Sequence, residues 1–147
     1  MPWKEIHAEL AKLFAEVAID DPPATVVRVY EEPPASIEGD EPCVVIYPPE
    51  ATVTLAFGQR MVEYKVTCLL LLRDEDPEVA ARMISGFVQA VIDRFETDKA
   101  VTMGGVANAW LIDAKPDRPH GDVRYAGTSY VGFDYTLVIG DLQPLAE

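Results

Sequence analysis

In RMVEYKVTCLLLL, residues 60–72, apolar and polar side chains alternate and then cease to alternate. Val62, Tyr64, Val66, Cys68, Leu70 and Leu72 fall on one face of an extended chain, whose side-chain period is two. Glu63, Lys65 and Thr67 fall on the other, until Leu69 and Leu71 make that face apolar as well. A strand so patterned begins half exposed and ends buried on both sides, or against a partner. Just upstream, ATVTLAF (51–57) is a second β-branched run, joined to the first, which opens at Arg60, through the dipeptide Gly58-Gln59. Glycine at the first central position suits a type II′ turn, so the two runs predict a β-hairpin. Just downstream, in RDEDPEVAARMISGFVQAVIDRF (73–95), the period changes. Val79, Ala80, Met83, Ile84, Phe87, Val88, Val91, Ile92 and Phe95 recur at helical spacing, a stripe wide enough to lie flat on a sheet. Asp76 is placed to cap this helix, Pro77 to take its first position and Glu78 to meet the positive end of its dipole.

The same two patterns continue outward. CVVIY (43–47) predicts a short strand stopped by Pro48 and Pro49, and TVVRVY (25–30) predicts another. Residues 3–18 form an amphipathic helix with Trp3, Ile6, Leu10, Leu13, Phe14 and Val17 on its apolar side, ended by Asp20, Asp21, Pro22 and Pro23. Between the two strands lies EEPPASIEGDEP (31–42), which holds three prolines and five acids. It reads as an exposed loop, long for a connection inside a compact domain. Towards the C-terminus, VANAWLIDAK (106–115) predicts a strand, and a polar loop at 113–122 contains PDRPHGD. The last strand places Val131, Phe133, Tyr135, Leu137 and Ile139 on one face. In YAGTSYVGFDY (125–135) a spacing of five residues puts Tyr125 and Tyr130 on opposite faces of a regular strand. Gly127 and Gly132 predict a bulge or a close backbone approach. The element order is α-β-β-β-β-α-β-β. The class is therefore α+β, one domain over 1–147, with a mostly antiparallel sheet of about five to six strands packed by two helices.

Composition narrows the function. The chain has 147 residues, 49% of them hydrophobic and 25% charged, which suits one globular domain. No apolar run approaches the ~20 residues that cross a bilayer, and the N-terminal MPWKEIHAEL has no signal-peptide core. We expect a protein made and kept inside a cell, or in something assembled there. Cys43 and Cys68 sit in apolar runs and read as small buried hydrophobes, outside any metal-ligand spacing. The formal net charge of −13 argues against gripping the outside of nucleic acid, which needs clustered Lys and Arg. It suits solubility, or a surface that must face DNA without adhering to it.

The sequence holds no catalytic constellation by spacing. His7 lies beside the apolar stripe of the first helix. His120 lies near Asp117 and Asp122, and a His-x-Asp pair can support a metal or a general base, but no nucleophile or third ligand accompanies it. Gly104-Gly105 lacks phosphate-loop spacing and reads as a turn. Asp74, Glu75 and Asp76 are explained by the helix start. The C-terminal tyrosines lack the basic groove that stacking on single-stranded nucleic acid requires. No cofactor and no metal is expected, and no enzyme.

The order of elements and several local patterns resemble a known family. A leading amphipathic helix precedes a V-x-V-Y strand, an acidic proline-rich stretch and P-C-V-V-I-Y-P-P. The hairpin ends in EYKVTCLLLLRD, the helix DPEVAARMISGFVQAVIDRF follows, and the chain closes on a Gly-Gly turn and Y-x-G-x-x-Y-x-G-x-x-Y-T-L-V-I. Together, over roughly 3–139, these look like the tail terminator (tail completion) proteins of long-tailed bacteriophages. The resemblance implies a virion structural protein of the neck, assembled in the host cytoplasm as a homohexameric ring. Such a ring stops tail-tube growth, meets tube protein on one side and the head-completion or stopper protein of the connector on the other, and passes DNA through its lumen without specific binding. No membrane is involved. The expected contact points are Glu31, Glu32, Glu38, Asp40 and Glu41 in the acidic loop, and Gly58, Gln59 and Arg60 at the hairpin. Leu69 and Leu71 on the long strand, Asp117, Arg118, His120 and Asp122, and Gly127 and Gly132 complete the set. Leu69 and Leu71 are expected against the second helix or a neighbour. The alternatives are another neck component, such as a head-completion or stopper protein, or a small acidic enzyme or ligand-binding protein using the His120/Asp122 loop.

Overall fold

A computed structural model of the chain describes residues 2–20, 23–56, 58–96, 102–103 and 109–144; the side chains at 2, 56, 113, 115–122 and 144 lie outside that description. Among the described residues two helices, α1 (Pro2–Ala15) and α2 (Pro77–Phe95), accompany eight strands. These are β1 (Ala18–Asp20), β2 (Pro23–Thr25), β3 (Arg28–Tyr30), β4 (Cys43–Ile46), β5 (Glu50–Ala56), β6 (Gln59–Leu72), β7 (Ala109–Tyr125) and β8 (Thr128–Pro144). The class is α+β with a mostly antiparallel sheet, as the patterning predicts. The order gains a small two-stranded hairpin, β1–β2, directly after α1. It takes residues from both the predicted end of α1 and the predicted strand 25–30. Val26 turns into the core while Val27 is 57% exposed, so that strand is interrupted and resumes only at Arg28.

The main sheet has six strands in the order β3-β4-β6-β8-β7, with β5 also paired to β6. The long strands β6 and β8 are antiparallel from Gln59↔Pro144 to Leu72↔Val131 and form its spine. One edge of β6 is shared: β4 pairs with residues 68–71, and β5 pairs with residues 59–65. Pro48 and Pro49, which cannot donate to a ladder, separate the two. One half of the sheet therefore runs β3-β4-β6-β8-β7, and the other runs β5-β6-β8-β7.

Both helices lie on one face of this sheet. Ile6, Leu10, Leu13 and Phe14 of α1 and Ala80, Ile84, Phe87, Val91 and Phe95 of α2 join the alternate side chains of the strands in one core. Val62, Tyr64, Val66, Cys68, Leu70 and Leu72 all enter it, as their alternation predicts, and so do Phe133, Tyr135, Leu137 and Ile139. Phe95 bridges the layers, with its ring centroid 5.0 Å from Phe14 and 5.7 Å from Tyr135. Asp76 caps α2 as expected, its carboxylate accepting from the Glu78 amide at 2.9 Å, with Pro77 in the first turn. Gly86 lets β1 approach α2: an added Cβ would stand 3.2 Å from Ile19 Cγ2.

Three expectations about connections change. The polar loop at 113–122 is instead part of β7, whose pairing with β8 shifts register between Leu111 and Asp113, Pro116 and Arg118, and Arg118 and Gly121. Pro116 and Pro119 are tolerated because β7 is an edge strand and bulges interrupt its ladder. Gly127 marks no bulge. Tyr125 pairs with Thr128, and Ala126 (φ 50°) and Gly127 (φ 82°) make the two-residue turn of a β7–β8 hairpin. Gln59 pairs with Ala56, so Gly58 (φ 75°) is the last residue before the strand and holds the second central position of its turn. A positive φ there excludes type II′, which requires it at the first. The Gly104-Gly105 turn lies outside the described residues.

Candidate assembly surfaces

Among the described residues, the face of the sheet opposite the helices is covered over one half. There Cys43, Val45, Leu69, Leu71 and Tyr130 form a second, smaller core, with Tyr30, Ile37, Tyr47, Val123 and Tyr125 packed against it. Leu69 and Leu71 thus face away from α2 and are buried within their own chain, not held ready for a neighbour. Tyr125 and Tyr130 share this cluster. The turn at 126–127 reverses the chain between them, so the spacing argument for opposite faces does not apply.

The acidic stretch 31–42 supplies the cover. β3 and β4 are parallel, Arg28↔Cys43 to Tyr30↔Val45, and a parallel pair needs a crossover of about a dozen residues. Its length is therefore set by topology. Ile37 enters the second core, the Tyr125 hydroxyl donates to the Pro34 carbonyl at 2.6 Å, and the Arg73 amide donates to Asp40 O at 3.0 Å. Ion pairs Arg28–Glu38 at 3.3 Å and Arg73–Asp40 at 3.6 Å join exposed side chains and add little to stability. Glu31, Glu32, Glu38, Asp40 and Glu41 point to solvent. Asp40, beside Arg73, lies at the sheet end where exposed Asp74, Glu75 and Asp76 precede α2, whereas Glu31 and Glu32 lie at the other end of the crossover, near Trp3, His7, Tyr47 and Pro48.

The other half of this face has no helix or loop over it among the described residues. Trp110 and Ile112 of β7 lie across Gly140 of β8, where an added Cβ would stand 2.8 Å from Trp110 Cζ2 and 3.1 Å from Ile112 Cδ1. Ile112 is the extra residue of a bulge and is 43% exposed. On the opposite edge, β5 pairs only with β6. Its Val53, opposite Val62, and Leu55, opposite Arg60, are 55% and 66% exposed on the helix side, beyond the reach of the helices. Sequence reasoning missed these four residues. The alternation of ATVTLAF locates Val53 and Leu55 on one face but is silent on whether that face is covered.

Arg60 donates to Gln143 Oε1 at 2.6 Å, and Gln143 Nε2 donates to Asp141 at 2.5 Å, which satisfies a carboxylate that is only 2% exposed. Burial and the charge of Asp141 raise the Tyr64 pKa. Burial also raises the Cys43 thiol to about 11 and the Cys68 thiol further, so both are neutral, weak nucleophiles near pH 7. His7 stacks on Trp3 at 5.3 Å, and the Trp3 ring in turn meets Tyr64 in a tilted contact at 5.2 Å. Among the described residues no three His, Cys, Asp or Glu side chains gather as a metal would need, and no helix is long and apolar enough to cross a membrane. A hollow of about 430 Å³ opens between Tyr47, Thr67, Leu69, Val123, Arg124 and Asp134.

The predicted contact residues do not form one site. The acids of 31–42 are spread along the crossover, from Glu31 and Glu32 near Pro48 and Pro49 to Asp40 at Arg73, while Gly58, Gln59 and Arg60 lie at the exposed tip of the β5–β6 hairpin. The side chains of Asp117, Arg118, His120 and Asp122 lie outside the described ones, on a strand rather than a loop. Gly132 does mark a close approach, but to its own chain: an added methyl would run into the Leu70 carbonyl oxygen and Leu71 Cδ2. No family model matches the chain, and no curated protein matches its sequence.

Proposed function

We propose that this chain is a virion structural subunit, a tail terminator that closes into a homohexameric ring between the tail tube and the head connector. The observation that carries the proposal is the pair of unlike apolar exposures, Val53 and Leu55 at one edge of the sheet and Ile112 at the other. A ring subunit requires two different surfaces that meet head to tail. The resemblance to tail terminator proteins supplies the biological setting, and its patterned segments coincide with α1, β4, β6, α2 and β8 of the fold. A net charge of −13, with the acids of the crossover turned to solvent, suits a lumen that DNA traverses without adhering.

Native mass measurement of the full chain, alone and with tail-tube protein, tests the reading. A mass of six subunits, in solution or on the tube, is the expected result; a monomer under both conditions refutes it. Preference for tail tubes over filled heads separates a terminator from a neighbouring neck component. Replacing Glu31, Glu32 and Glu38 with Lys leaves rings intact and impairs DNA passage if these acids line the lumen.

A further inference from the structure

Val53 and Leu55 lie on the helix side of the sheet at the β5 edge, whereas Trp110 and Ile112 lie on the opposite side at the β7 edge. In this half of the sheet the strands run β5-β6-β8-β7, so the two patches are about 14 Å apart laterally and face in opposite directions. Two such patches cannot satisfy each other within one chain. They can satisfy each other between chains stacked like overlapping tiles.

We infer that the β5 arm of one copy docks, through Val53 and Leu55, on the Trp110–Ile112 platform of the next copy. The inference rests on the ring reading in taking the occupant to be a second copy, and it names the surfaces. The charges agree with it. Arg60 stands beside Leu55 on the same face, and the arm carries no acid on that face. Glu63 stands beside Trp110, both facing Gly140. A chain with a net charge of −13 repels its copies over most of its surface, and here a cation meets a carboxylate. The edges agree as well. Over 50–56, β5 has no proline, lysine or bulge, the devices that discourage association at an edge. β7 has two prolines and three register shifts, and β3 has three residues. Gly140 completes the platform, since any side chain there would lift Trp110 off the sheet.

The contact is heterologous, which gives it a distinctive test. Leu55→Glu spoils only the arm and Ile112→Glu only the platform, and both side chains are exposed enough for the variants to fold, which unfolding curves matching the wild type verify. Each variant alone is expected to be monomeric in native mass measurement. Their equimolar mixture is expected to give a heterodimer and nothing larger, because one intact arm and one intact platform remain. Variants that assemble like the wild type overturn the assignment of surfaces and leave the ring reading standing. Monomeric variants whose mixture stays monomeric overturn it too, in favour of a two-fold contact or of another protein as occupant. A wild type monomeric with and without tube protein removes the ring reading and this inference together.

Discussion

Gly132 illustrates how tightly single residues are constrained where β8 crosses β6. The Leu70 carbonyl and Leu71 Cδ2 occupy the space a Cβ would need, and both belong to buried residues with nowhere to move. Gly132→Ala is expected to lower stability by about 1–3 kcal/mol, seen as a lower urea midpoint at unchanged m. Gly58→Ala meets nothing within 4 Å and incurs only the positive φ of 75°. It should cost about 1 kcal/mol. Cys43 makes a pH prediction. Burial raises its thiol from 9.0 to about 11, so the unfolded chain releases this proton first as pH rises. Between those values the unfolded state binds fewer protons and stability falls with pH. Thermal midpoints should decline over that window more steeply in the wild type than in Cys43→Ala, a comparison that removes the parallel contributions of Tyr47, Tyr64 and Tyr125.

At the scale of elements, α2 and the acidic crossover depend on named contacts. Asp76→Ala removes the carboxylate that holds the Glu78 amide and should cost about 1 kcal/mol, measured by thermal unfolding. The crossover is held against the second core by Ile37, by the Tyr125 hydroxyl on Pro34 and by backbone bonds to Asp40 and Pro42. Tyr125→Phe removes one of these. It should cost about 1 kcal/mol and speed proteolytic cleavage within 31–42, with cleavage elsewhere unchanged. If cleavage in that stretch is unaffected, the hydrogen bond does not hold the crossover down.

At the scale of the whole molecule, the sheet has two unequal faces. Among the described residues, one carries both helices over the larger core, and the other is half covered by a crossover and half open. Leu69 and Leu71, expected at an interface, lie under the crossover. Val53, Leu55 and Ile112 are exposed at the opposite half, where no element covers them among the described residues. Self-association through that half is expected to weaken on Leu55→Glu without loss of stability, because the side chain is already 66% exposed. Equal unfolding midpoints with unequal native masses would separate assembly from folding.

Much of the architecture was legible in residue order. The alternation in 60–72 and 131–139 gave the inner strands and their faces, and the stripe with Asp76 and Pro77 gave α2, because side-chain period and capping are local properties of the chain. The β7–β8 hairpin was hidden because Ala126-Gly127 lacks the usual Asn-Gly signature, and β7 was obscured by prolines that only an edge position tolerates. The parallel pairing of β3 with β4 was also hidden, since nothing local tells a strand which way its partner runs. The sequence by itself determined which side chains are apolar on each strand and where each helix begins. Only the tertiary structure decided which of those apolar faces are covered, because burial depends on elements distant in the chain: Tyr125 and Pro34 meet across 91 positions. That is why Leu71 lies buried and Leu55 remains open to a partner.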